Sequence, residues 1–526
     1  MRQSASGSTR VSLFHFLVGW KLINELPYRA CESVSSIGSR AIAGLFYGSA
    51  GLLVQALLQI ATLVVLARLL SPADFGIVGA ALVVAKLATV FSQFGVAPAV
   101  VQRETLTKNH ICAAFAVSAG LGAIFTVGVV SSSQHIASFF RIEGLDAVLR
   151  WYACMFLLRG LSVIAEALLQ RDLKFKELMM SEIASYAFGY GLFGIYLAAN
   201  GYGYWALVWA HLMQALIKTV VLIGLRPHPR SFLIDIRALR DLLRFGAGQT
   251  LSRIANYAAN EGDKAVVAKV LGAEALGEYG RANQLVIMPV TLFGGVVDTV
   301  LFPTLARIQS DGERLRLNFR RGVTLITLIN FPFGCVLVVI AEPLVSLVLG
   351  PKWAGVAPII QVLAVSLVFR GAAKVSDSLA KSKGAVYWRA TIQWTYALIV
   401  CVGAYFASPY GVVGVAIAVV LAGLLQAMLM IALGVHLTAI ACGQIAGALV
   451  PGIVVGCLAG VCANIAHGVF LRLQFSPALD VILTVGSSAV IYLLVVTFRR
   501  GKMIGRDGAW IGELLLRTIA NRRRLK

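Results

Sequence analysis

Seven polar side chains crowd one side of residues 252–271, SRIANYAANEGDKAVVAKVL. At helical spacing Arg253, Asn256, Tyr257, Asn260, Glu261, Asp263 and Lys264 fall within an arc of about 160°. Ile254, Ala255, Ala258, Ala259, Gly262, Ala265 and Val266 occupy the rest. Guanidinium and ammonium groups suit a phosphate or carboxylate, and arginine engages either in bidentate fashion. Asparagine and tyrosine suit sugar hydroxyls. Asp263 and Glu261 suit proton or sodium exchange, or the holding of basic groups. Two further segments carry stripes of this kind. Arg370, Lys374 and Asp377 are spaced i, i+4, i+7, and Arg159, Ser162, Glu166 and Gln170 share one face. Arg281 stands three residues after Glu278, a spacing that permits an ion pair. Seven residues of helix rise about 10.5 Å, so Arg159/Glu166 and Arg370/Asp377 are expected to be bridged or partnered across helices. The plain structural alternative is that all these charges only pair and lock helices together.

The elements that must position these groups are membrane helices. The chain has 526 residues, 59% hydrophobic and 13% charged, with a mean hydropathy of +0.82. Soluble domains carry about 25% charged residues. Spans of about 20 apolar residues are expected near 44–66, 76–101, 111–131, 147–169, 180–199, 203–225, 242–268, 277–303, 322–341, 355–380, 386–407, 411–434, 442–466 and 478–498, fourteen in all. Basic residues within them are Lys86, Arg159, Lys218, Arg253, Lys264, Arg281, Arg370 and Lys374. Acidic ones include Glu166, Glu182, Glu261, Asp263, Glu278, Asp298 and Asp377. A charge at mid-bilayer costs about 2.5–3.5 kcal/mol, so the four in the seventh span would cost roughly 10–14 kcal/mol facing lipid. They are expected to face protein or a wet cavity. Lys218 is expected to reach the aqueous face along its apolar stem.

The net charge of +22 is topological. With the N-terminus inside, most Lys and Arg fall in 1–43, 102–110, 170–179, 226–241, 304–321, 381–385, 435–441 and 499–526. The opposite side holds Arg68, Arg141, Arg150, Lys269, Lys352 and Arg472. This bias follows the positive-inside rule and argues for cytoplasmic termini and against nucleic-acid binding. Residues 1–43 form an interfacial segment, 226–241 a basic linker and 499–526 a basic tail. The eight cysteines form no CxxC and read as structural thiols. The seven histidines are scattered. HExxH and GxxxxGK[ST] are both absent, so no cofactor and no internal ATP hydrolysis are expected.

The chain repeats. Residues 67–79, ARLLSPADFGIVG, align with 268–280, AKVLGAEALGEYG, at an offset of 201. Arg68 matches Lys269, Gly76 matches Gly277 and Gly79 matches Gly280. Arg159–Gly160 followed by Glu166 matches Arg370–Gly371 followed by Asp377 at an offset of 211. Together these matches predict two six-helix lobes, 44–225 and 242–434, of shared orientation around a polar central cavity. Two extra helices follow in 442–498.

Several stretches resemble the polysaccharide transporter (Wzx-type flippase) family of the MOP superfamily, which also contains MATE exporters and the lipid II flippase. They are ARLLSPADFGIVGAALVV with FGVAPAVVQRE, LLQRDLKFKELMMSE with GYGYWALV, LRFGAGQTLSRIANYAANEGDKAVVAKVLGAEALGEYGRANQL, and LFPTLARIQSD. The likeness covers roughly residues 40–435 and is nearest to the exopolysaccharide and lipopolysaccharide branch. It implies a non-enzymatic flippase in the bacterial cytoplasmic (inner) membrane, moving undecaprenyl-diphosphate-linked oligosaccharide by alternating access. Expected partners are that substrate, membrane lipids, and polymerase and other polysaccharide-assembly proteins. Arg253, Asn256, Tyr257, Asn260, Lys264, Arg370, Lys374, Arg159 and Arg281 are the candidate contacts for diphosphate or sugar. Glu166, Glu261, Asp263 and Asp377 are the coupling or structural carboxylates. The rival readings are a MATE-like exporter of small cations, which the basic residues count against, and a membrane glycan polymerase or ligase.

Overall fold

The computed structural model describes residues 51–92, 96–103, 105–229, 254–296 and 301–498. The expected interfacial segment 1–43, most of the linker 226–241, the tail 499–526, Arg253 and Asp298 lie outside the described residues. Those described form helices joined by short turns. They are α1 (Gly51–Leu69), α2 (Pro72–Ser92), α3 (Val96–Gln102), α4 (Lys108–Phe140), α5 (Leu145–Tyr152), α6 (Cys154–Arg171), α7 (Phe175–Ser185), α8 (Gly194–Ala199), α9 (Tyr204–Leu225) and α10 (254–270). Then come α11 (Gly272–Val296), α12 (Phe302–Arg307), α13 (Gly312–Val348), α14 (Val356–Val365), α15 (Leu367–Ser382), α16 (Val386–Ala407), α17 (Gly411–Thr438), α18 (Cys442–Arg472) and α19 (Pro477–Phe498).

Local chemistry sets the helix ends. In Ser71-Pro-Ala-Asp74 the Asp74 carboxylate accepts from the Ser71 backbone N–H at 2.8 Å and from its hydroxyl at 2.6 Å. The Ser71 hydroxyl in turn accepts from the Asp74 N–H at 3.2 Å. This is a reciprocal cap, with Pro72 in the first turn, where its missing N–H costs nothing. Asp311 starts α13 in the same way, accepting from the Arg314 N–H at 3.0 Å.

Nine helical stretches among the described residues are long and apolar enough to cross a bilayer, or ten if the pair α14 and α15, bent by 45°, is one span. One of the nine, Val386–Thr438, runs 53 residues. It is folded back at a short turn, Ser408–Tyr410, and at Gly411 (φ 72°), so that α16 packs on α17. The α16 helix has 22 residues, about 33 Å at 1.5 Å per residue, which matches the hydrocarbon layer. Exposed Tyr387 and Trp388 stand at one end of it, with Tyr405, Phe406 and Tyr410 at the other. That is the aromatic girdling expected at two membrane interfaces.

Helix α2 packs most extensively against α11, α4 against α6, α16 against α17 and α13 against α18. At the junction of α2 and α11 the repeat meets itself. A Cβ added to Gly76 would stand 1.6 Å from the Ala273 carbonyl oxygen, and one added to Gly277 would stand 1.9 Å from the Pro72 carbonyl oxygen. Residues 72 and 273 are themselves related by the offset of 201, so the crossing has the reciprocal form of an isologous contact.

The last two helices lie along α13. Gly452, Gly456 and Gly460 on α18 face Thr327, Phe331 and Cys335 on α13, every fourth residue on both sides. A Cβ at Gly456 would come within 2.2 Å of the Phe331 ring. Small residues at this spacing let two membrane helices approach closely, where dispersion between them replaces contact with lipid. The α19 helix is tied to α18 by His467, whose Nδ1 lies 2.8 Å from the Asp480 carboxylate; the Thr484 hydroxyl donates to the same group at 3.1 Å.

Candidate functional site

The polar stripe of α10 is divided between two neighbours. Glu261 and Asp263 mark the edges of its arc, about 160° apart on the helix wheel, and they turn to opposite sides. Glu261 accepts from the Lys86 ammonium of α2 at 2.6 Å and from the Lys264 ammonium at 3.0 Å. Asp263 is buried and accepts from the Tyr279 hydroxyl of α11 at 2.6 Å and from the Lys264 backbone N–H at 2.8 Å. Between the edges, Tyr257 donates to the Val83 carbonyl at 2.8 Å, and the Asn260 amide turns back to Asn256.

A cavity of about 360 Å³ lies along this face. Its polar lining is Lys86, Thr89, Arg159, Asn256, Tyr257, Asn260 and Glu261, and Leu82, Ala85, Met155 and Phe156 close it. The structure therefore brings Arg159 on α6 together with the expected α10 group and adds Lys86. Two cations, Lys86 and Arg159, thus share the lining with one carboxylate, Glu261, whose other partner Lys264 lies outside that lining. Lys86 is missing from the expected contacts. Its only signal in the sequence is a charge inside an otherwise apolar helix, and its partner lies 175 residues away.

A second chamber of about 190 Å³ neighbours the first, with Leu82 common to both linings. Arg281 and Gln284 reach it from α11, and Gln59, Tyr186, Tyr190, His211 and Gln214 line the other side. A π-helical stretch, Tyr186–Phe193, separates α7 from α8 and carries both tyrosines. Such wide turns recur where a span must aim side chains at a site. The expected Glu278/Arg281 pair does not form. The Arg281 guanidinium donates to Gln284 and lies 4.7 Å from the Phe75 ring centroid, and Glu278 folds toward Gly355. His211 Nδ1 lies 2.8 Å from both the Tyr152 hydroxyl and the Leu207 carbonyl.

The remaining residues serve elsewhere. Asp377 is bound by Lys381 at 2.7 Å and by Arg389 of α16. Glu166 and Glu182 share Lys218, at 3.6 and 2.7 Å, which joins α6, α7 and α9. Lys218 thus pairs with two carboxylates and keeps 28% of its side chain exposed. Arg370 and Lys374 lie on α15 and belong to neither of the two linings.

Removing the Tyr279 hydroxyl tests the buried side of the stripe. Tyr279→Phe leaves Asp263 short of a donor and is expected to cost about 1–3 kcal/mol, read as a lower midpoint of thermal unfolding in detergent. An unchanged midpoint would remove this hydrogen bond from the account.

Apolar helices crossing a bilayer around a charged internal cavity define a multi-pass membrane protein with the architecture of a transporter. The chain superposes on the lipid II flippase MurJ in an inward closed conformation with a TM-score of 0.71 at 14% identity, covering 86% of this chain and 98% of that one. It superposes on an inward-facing multidrug resistance MATE transporter of the MOP superfamily with a TM-score of 0.60 at 15% identity, covering 73% and 94%. The fold is therefore that of the MOP superfamily. Residues 65–358 match the model of the polysaccharide biosynthesis protein family, and the chain belongs to that family. It is 27% identical to the lipopolysaccharide biosynthesis protein WzxC of Escherichia coli (strain K12), over 67% of this chain and 72% of that protein. It is 26% identical to the succinoglycan biosynthesis transport protein ExoT of Rhizobium meliloti, over 59% and 62%.

Proposed function

We propose that this protein is a flippase that moves oligosaccharide linked to undecaprenyl diphosphate from the inner to the outer leaflet of the bacterial cytoplasmic membrane, for exopolysaccharide or lipopolysaccharide synthesis. The observation that carries this reading is the cavity between α2, α6 and α10. Its lining sets two cations, Lys86 and Arg159, against one carboxylate, Glu261, which also holds Lys264, a balance suited to a diphosphate and unsuited to the cationic cargo of a drug exporter. Glu261 holds Lys86 and Lys264 together. A diphosphate displaces it by offering the same two ammonium groups more oxygens and more charge. Asn256, Asn260 and Tyr257 then stand beside the first sugar. Membership of a polysaccharide biosynthesis family, and a relative named as a transport protein, point the same way.

In this reading the protein is not an enzyme. Its fourteen spans form two six-helix lobes, 44–225 and 242–434, followed by two further helices, and both termini are cytoplasmic. The α7–α8 segment and helices α10, α11 and α14–α15 supply the spans that breaks or charges remove from a simple hydropathy count. The positive-inside bias places the crossing of α2 and α11 at the outer face. The closed crossing and the cavity beneath it then correspond to a state loaded from the cytoplasm. Glu166 and Asp377 are structural in this account, and a polysaccharide polymerase is the partner that consumes the product.

Depletion of the protein in its native host supplies the test. Lipid-linked units are expected to accumulate on the inner leaflet, protected from a membrane-impermeant reagent that modifies glycans. Units that reached the outer leaflet and stayed unpolymerised would overturn the reading in favour of a polymerase or ligase.

A further inference from the structure

The two cations of the sequence repeat, Arg68 and Lys269, make the same contact from opposite sides. Arg68 is the next-to-last residue of α1, and its guanidinium donates to the carbonyl of Leu347, the next-to-last residue of α13, at 2.9 Å. Lys269 is the next-to-last residue of α10. Its ammonium donates to the carbonyl of Phe139, the next-to-last residue of α4, and lies 4.4 Å from that ring's centroid. Each half of the chain thus sends a cation from its first helix onto the end of the other half's third long helix. The carbonyls of a last helical turn have no partner within the helix and carry the negative end of its dipole, so a cation there satisfies both.

These caps flank the glycine crossing. Trp353, fully buried, adds a bond from its indole N–H to the Ala67 carbonyl at 2.8 Å and meets the Phe75 ring edge-on at 5.3 Å. The opposite end of the molecule is built differently. There Arg171 donates to the carbonyls of Val100, at 3.0 Å, and Val101, at 3.3 Å, at the end of α3. Lys383, 212 residues further on, donates to the Gln309 carbonyl at 2.8 Å. Among the described residues these bonds of Arg171 and Lys383 run within one half each.

We propose that Arg68 and Lys269 form a two-fold related latch that holds the crossing end shut and must release for the cavity to open there. Both caps join the halves at that end, while their counterparts at the other end stiffen each half separately, so the halves can swing apart at one end without losing internal structure. The crossing carries the close backbone fit, and the caps carry the reversible part, since a charged side chain returns to water when it lets go. The inference rests on the alternating-access reading for its purpose, but its geometry does not depend on which molecule is carried.

The test uses the full chain with its native cysteines replaced and one reporter, Leu66→Cys, in the wall of the chamber beneath the crossing. A membrane-impermeant maleimide is applied from the crossing side, and no substrate is needed. The parent is expected to be protected. Arg68→Gln combined with Lys269→Gln is expected to label about tenfold faster, and each single variant about threefold faster, as two hydrogen bonds to charged groups are lost. Arg68→Lys and Lys269→Arg, which keep a charged donor, should stay protected. The single variants leave one cap and the glycine crossing intact, so they carry the test if the double variant does not reach the membrane. Labelling of the single and double variants at the parent rate would overturn the latch and leave the flippase reading untouched. A latch that behaves as expected, in a chain whose depletion leaves lipid-linked units on the outer leaflet, would overturn only that reading.

Discussion

Gly76→Ala is expected to abolish export and to lower the stability of the folded protein by about 3 kcal/mol, at the upper end of the usual range for overpacking. The added Cβ would stand 1.6 Å from the Ala273 carbonyl oxygen and 2.4 Å from its carbon. Both atoms are backbone, so no side chain can rotate away, and α2 and α11 must separate. Separation strains the indole bond from Trp353 to Ala67 and unseats Gly277, whose own neighbour is the Pro72 carbonyl. The internal control lies three residues on. An alanine at Gly79 meets only the Leu276 side chain, at 3.4 Å, and one at Gly280 meets nothing within 4 Å. Gly79→Ala and Gly280→Ala should therefore melt and export as the parent does. Thermal unfolding of the purified protein and surface glycan output check the set. A Gly76→Ala protein with parental values in both would show that the helices do not cross this closely.

Glu261→Ala is the second large effect. It leaves Lys86 and Lys264 facing each other with their shared carboxylate gone. Removing one partner of a buried ion pair costs about 3–5 kcal/mol. The Lys86 side chain is 51% exposed, so solvent screens part of the repulsion, and about 1–3 kcal/mol is expected instead. Export should fall about tenfold or more, because a diphosphate held by uncompensated cations has no internal carboxylate to displace it on release. Adding Lys86→Ala to Glu261→Ala should restore most of the melting temperature without restoring export. The reading of Glu261 as a counter-charge fails if Glu261→Ala exports normally, or if the second substitution restores nothing.

Much of the scaffold was legible in the residues. The long apolar runs, the charges they enclose and the offset of 201 are all local or periodic properties. Arg159, Asn256, Tyr257, Asn260 and Lys264 could be picked out because a charge or amide in an apolar helix must face away from lipid. The direction in which each one faced could not. Glu261 and Asp263 read as one acidic group on one stripe. In the fold Glu261 meets α2 and Asp263 meets Tyr279, because the two edges of a wide arc point at different neighbours. That Lys218 holds two carboxylates on separate helices was likewise invisible along one segment.

The sequence by itself determined that this chain lives in a membrane, that residues 67–79 recur at 268–280 and that residues 252–271 carry a polar stripe. Those conclusions need only hydrophobic length, 3.6-residue periodicity and self-comparison. Tertiary structure alone decided that Lys86 completes the cavity from 175 residues away, that Gly76 and Gly277 are the points of closest approach, and that Arg68 and Lys269 cap each other's halves. These depend on how each helix is rotated and where it crosses another. In a bilayer that is settled by close packing and by the satisfaction of buried polar groups between helices, and neither is visible along a single segment.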